Sequence, residues 1–125
     1  MDPHIAQSLA LSNDQLESLI RKDKSLLIYD IRTTEKFESG HIEGSAHAIC
    51  DFNVSQTSMP DIPRDIKIII VDEHGDESSE LAVIMRSLGY DSYFLKDGIK
   101  SWKGSIVKKI SGEIHSVTFC IRRGS

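Results

Sequence analysis

The chain has 125 residues, 39% hydrophobic and 27% charged, with a net charge of −4 and a pI near 5.7. That length supports one globular domain with a modest core, and the acidic balance excludes a general electrostatic match to nucleic acid or an anionic membrane. Cys50 and Cys120 are far apart and lack metal-site spacing, so neither a disulfide framework nor a zinc site is expected.

No apolar run approaches membrane-spanning length, and the N-terminus has no apolar signal region. A reducing cytoplasm is the expected location. Charge is unevenly distributed. Residues 1–98 carry 9 Lys/Arg against 18 Asp/Glu, whereas residues 99–125 carry 6 against 1. The C-terminal segment is a basic appendage on an acidic body, and folding back onto that body is its simplest expected arrangement.

In chain order, residues 1–10 read as an irregular lead-in or a short edge strand. Ser12 followed by Gln15 forms a capping box, with Leu11 and Leu16 placed as a hydrophobic staple. The helix they start shows Leu16, Leu19 and Ile20 on one face and ends at Lys22-Asp23-Lys24. Residues 26–31 are apolar at nearly every position, as in a strand covered on both faces. Thr33 or Thr34 caps a short helix through Phe37 that Gly40 terminates, and residues 46–49 form a short strand in which His47 is expected to be exposed. Residues 51–64, with Pro60 and Pro63, read as a long loop with at most one helical turn.

The central feature is the run Ile66 to Val71, followed by Asp72-Glu73-His74-Gly75-Asp76-Glu77 and a helical pattern ending at Gly89. A buried strand, a tight loop and a helix N-terminus present chemistry in α/β proteins, because the helix aims unpaired N–H groups at the loop. Such loops ordinarily attract an anion, yet this one is filled with carboxylates. Residues 92–95 form a further strand turned by Asp97-Gly98. Beyond Trp102, residues 106–107 and 117–121 are β-prone, and a hairpin turning at Ser111-Gly112 is the arrangement they suggest. The strand–helix alternation predicts a mainly parallel sheet between helices.

Asp30-Ile31-Arg32, the 37–46 run containing Gly40-His41-Ile42 and Gly44, the strand–loop–helix at 66–89, and Leu95 through Asp97-Gly98 to Trp102 together resemble the rhodanese-like family of single-domain sulfurtransferases. The resemblance spans residues 8–103, leaving 104–125 as a basic C-terminal extension. It implies a rhodanese-like α/β fold, a small mainly parallel sheet with helices on both faces. Lys36 departs from the usual glutamate and Glu43 from the usual proline.

In active members, the resemblance implies, a cysteine opens the six-residue loop, carries a sulfane sulfur as a persulfide and passes it to a thiophilic acceptor, and an arginine often closes the loop. By position, Asp72 stands at the cysteine and Glu77 at the arginine. A carboxylate cannot form a persulfide, and an acidic closing residue repels thiosulfate. No catalytic residue is therefore expected in the loop, and Asp30, Arg32, Gly40, His41 and Trp102 are expected to be structural. Asp72 itself is expected to accept hydrogen bonds from backbone around Gly75 to Ser78.

The leading expectation is a non-catalytic binding or regulatory module with no cofactor or metal. Its partner is an unidentified protein or domain, not nucleic acid or membrane, and the extension offers a route to a homo-oligomer. The alternative is an enzyme that uses a displaced cysteine, Cys50 or Cys120, or a cation-dependent activity at the acidic loop. An aspartyl-phosphate at Asp72 is chemically conceivable but lacks a matching lysine and magnesium cluster.

Overall fold

The computed structural model of the protein describes residues 3–23, 25–109, 112 and 114–123. Helix α1 (Pro3–Ser8) leads into β1 (Ala10–Leu11), and α2 (Asn13–Lys22) follows. The lead-in thus contains a short helix as well as an edge strand. The capping box forms in full: Ser12 Oγ accepts from Gln15 N–H, and Gln15 Oε1 accepts from Ser12 N–H. Lys24, in the expected helix end, lies outside the described residues.

Next come β2 (Leu27–Asp30), α3 (Thr34–Ser39), β3 (His41–Ile42), β4 (Ala46–Asp51), β5 (Lys67–Val71), α4 (Asp76–Ser87) and β6 (Asp91–Leu95). A 3₁₀ turn at Ile99–Ser101 precedes β7 (Ile106–Val107) and β8 (Val117–Cys120). The main sheet has six strands in the order β1-β6-β5-β2-β4-β8, and every neighbouring pair is parallel. Its centre explains the continuous apolar run of β5. Ile68 and Ile70 pack on one face with Leu81 and Met85 of α4, while Ile69 and Val71 pack on the other with Leu16 of α2. A strand covered on both sides cannot alternate polar and apolar residues.

The C-terminal extension does not form a hairpin. Its two β-prone segments separate, β7 pairing antiparallel with β3 and β8 becoming the outermost strand beside β4. Ser111 of the expected turn lies outside the described residues. Parallel addition prevails because it lets Phe119 and Ile121 bury completely against the α4-side core, with Phe119 edge-on to Tyr29 at 5.2 Å between ring centroids. A two-stranded hairpin offers no such burial. Arg123 adds a bidentate ion pair to Glu80, both bonds 2.9 Å, and lies over the Phe52 ring at 3.7 Å. Among the described residues, no helix is long and apolar enough to cross a membrane.

Candidate functional site

The site forms where β5 ends. Alternation along the strand turns Asp72 to the same side as Ile68 and Ile70, the side occupied by α4. Its carboxylate is nine-tenths buried and faces the N-terminus of that helix. Oδ1 accepts from Gly75 N–H at 2.6 Å and from Ser78 Oγ at 2.9 Å, while Oδ2 accepts from Glu77 N–H at 2.9 Å and from Ser78 N–H at 3.0 Å. Four donors thus converge on one side chain. They include amides at the start of α4, which have no partner within the helix, and their dipole favours the negative charge.

Gly75 makes the sharp entry possible. It is the N-cap of α4 at φ +101°, a left-handed conformation that costs a glycine little. The 95–99 turn braces the loop from outside, since Ile99 N–H donates to the Asp72 carbonyl at 2.8 Å. Gly98 passes so close to the Glu73 carbonyl that a side chain there would collide with it.

Beside the loop lies a cavity of about 340 Å³ lined by Arg32, Lys36, Glu73, His74, Asp76 and Glu77, among others. Arg32 is already committed. Its Nε and Nη2 donate to the buried Asp30 carboxylate over 2.7–3.1 Å, and Nη2 also donates to the Gly40 carbonyl at 2.7 Å. Glu73 reaches Arg32 and Lys36, each at 3.9 Å. Asp30 and Arg32 therefore tie β2 to the start of β3, and Glu73 neutralises the cations that remain near the cavity. His74, Asp76 and Glu77 are exposed at its rim.

Asp72 is used by backbone amides and Glu73 by cations, and among the described residues no three His, Cys, Asp or Glu side chains gather to hold a metal ion.

His41 is buried, stacked on Phe37 at 3.8 Å, and its Nδ1 donates to the Phe37 carbonyl at 2.7 Å. Trp102 packs at the edge of the α2-side core and donates through Nε1 to the Ser105 carbonyl at 3.3 Å. His47 corrects the expectation of an exposed imidazole, being 2% exposed. Its Nε2 donates to the Arg32 carbonyl at 2.7 Å, and its Nδ1 lies 2.6 Å from Ser116 Oγ. The carbonyl can only accept, so in the neutral ring Nδ1 accepts from the hydroxyl. The Phe37 ring, with centroids 5.1 Å apart, and the Arg32 carbonyl cover His47 from the body, and the extension adds Ser116. The strand alternation around His47 gave no sign of a cover from so far along the chain.

The cysteines lie elsewhere. Both are free and half-buried, Cys50 on β4 and Cys120 on β8. Paired strands set Cys50 beside Phe119 and Asp51 beside Cys120, so the two thiols alternate to opposite faces of the sheet. Burial, aided by Glu77 and Glu80 and opposed by the Arg123 guanidinium, pushes the Cys50 thiol up to about 12.

Residues 12–105 match the Rhodanese-like domain family. A thiosulfate sulfurtransferase GlpE from Pseudoalteromonas translucida is 32% identical over 96 residues, covering 76% of this chain and 88% of its own. A rhodanese-like domain protein from Staphylococcus aureus superposes with a TM-score of 0.67 at 20% identity, covering 81% of this chain and 98% of its own. A rhodanese-related protein from Thermoplasma volcanium gives 0.64 at 20% identity, over 80% and 98%. The chain belongs to the rhodanese-like domain family, and its fold and its relation to sulfurtransferases follow from that membership.

Proposed function

We propose that this rhodanese-like domain is a binding or regulatory module that has lost sulfurtransferase catalysis and engages a protein partner in the cytoplasm. The observation that carries the reading is the set of four hydrogen bonds converging on Asp72. Sulfur transfer needs a thiolate at the first loop position and free N–H donors to stabilise it and an anionic substrate. Here a carboxylate sits first in the loop and consumes those donors. Glu77, at the loop's end, adds negative charge where thiosulfate would approach.

Displacement of the nucleophile to Cys50 is the second reading, favoured by the electrostatic contact of its thiol with Glu77. The same contact works against it. A thiol held near 12 is almost wholly protonated at neutral pH, and the thiol form is a poor nucleophile.

Thiosulfate–cyanide turnover by the purified protein tests the proposal. The expected rate equals that of a Cys50→Ser, Cys120→Ser double variant. Turnover well above that control refutes the module reading and promotes the displaced cysteine.

A further inference from the structure

The small β3–β7 ribbon ends in an unused strand edge. Ile106 opposes Ile42 and Val107 opposes His41. One step along, Glu43 N–H donates to the Ser105 carbonyl at 3.1 Å, and that carbonyl also accepts from Trp102 Nε1. Antiparallel ladders alternate hydrogen-bonded and non-bonded pairs. Ser105 and Val107 therefore turn their backbone groups toward β3, while Ile106 and Lys108 turn theirs away. Among the described residues, those outward groups have no hydrogen-bond partner. Ile106 is also one of three large hydrophobic side chains left exposed among the described residues, at 48%. Lys103, Lys108 and Lys109 flank it, all exposed and none in an ion pair among the described residues. The strand begins where the family match at 12–105 stops.

We infer that β7 is a docking edge for an extended, acidic segment of a partner protein, which adds a strand beside Ile106 and sets carboxylates against the three lysines. Unpaired strand edges template such addition, and charge selects the partner. Charge also disfavours a second copy of this chain as the occupant, because pairing β7 with itself brings lysines from both strands together. This surface is separate from the Asp72 loop, so the inference stands whether or not the loop is catalytically inert.

The test is an amide NMR titration of the full chain with a capped Val-Glu-Val-Glu-Val-Glu peptide, with the Val-Lys counterpart as control. Expected are shifts centred on residues 104–109 and cross-strand contacts from the Ile106 amide, for the acidic peptide alone. Reversing Lys103, Lys108 and Lys109 to glutamate is expected to weaken binding on the order of tenfold at low salt. Ile106→Pro removes an outward N–H that β3 does not use. It is expected to abolish binding while the Glu43 amide shift, the reporter of β3–β7 pairing, is retained. Silence of 104–109 up to millimolar peptide, equal binding of the lysine peptide, or concentration-dependent shifts of β7 without peptide (self-pairing) each overturns the inference.

Discussion

The Asp72 loop and the C-terminal extension are held in opposite ways. The Asp72 carboxylate is held by residues at most six apart, three amides and a hydroxyl, and the 95–99 turn braces the loop from outside. The extension is held by partners 69 or more residues away, through the β8 ladder, the burial of Phe119 and Ile121, and the Ser116–His47 hydrogen bond. Polar and mostly local chemistry fixes the first; mostly apolar, long-range burial fixes the second. The loop can therefore change its chemistry while the fold persists, whereas β8 cannot be lost without opening the core.

The sharpest way to break this comparison is at Phe119. It is fully buried, and Phe119→Ala is expected to cost about 3–5 kcal/mol, read as a large drop in thermal or urea midpoint. An unchanged midpoint would mean that β8 is an ornament. Asp72→Ala comes next, at about 2 kcal/mol, more than one lost helix cap because buried amides at Gly75 and Ser78 are left without an acceptor. Asp72→Asn keeps an acceptor and should lie between the variant and wild type.

Cys50 gives a pH signature. Its folded pKa is raised, so the folded state holds the proton more tightly than the unfolded chain, where the thiol titrates near about 8.5. The resulting stabilisation is fully present below that value and is lost as pH rises toward about 12. Cys50→Ser is expected to flatten the alkaline limb of a stability–pH curve, and an identical limb would show the thiol is not shielded. The smallest effect belongs to Arg123→Ala. Its ion pair with Glu80 is half-exposed, and such pairs contribute about 0–1 kcal/mol. A larger loss there would mean the extension is held by charge rather than by Phe119 and Ile121.

Much of the body was legible from residue order because its signals are local. The Ser12 capping box, the uninterrupted apolar run of β5 and the Gly89 helix stop are each written within a few neighbouring residues. The acceptor role of Asp72 was legible for the same reason, since a carboxylate at a strand end precedes its own helix amides. The extension was not. Val117, Phe119 and Ile121 do alternate, but nothing adjacent specifies parallel pairing with a strand some 70 residues earlier. The same segment brings Ser116 to His47, one part of a cover that the residues around position 47 do not announce. Long-range pairing has no local signature, and every residue covered by it inherits the error.

The measurement that bears most directly on the central claim is intact-protein mass spectrometry after incubation with thiosulfate, with and without later cyanide treatment. The loop with Asp72 first and its amides occupied predicts no species heavier by one sulfur atom, either in wild type or in the Cys50→Ser and Cys120→Ser variants. A cyanide-labile sulfur adduct on wild type that disappears in one of those variants would contradict the account and identify the cysteine that carries the chemistry.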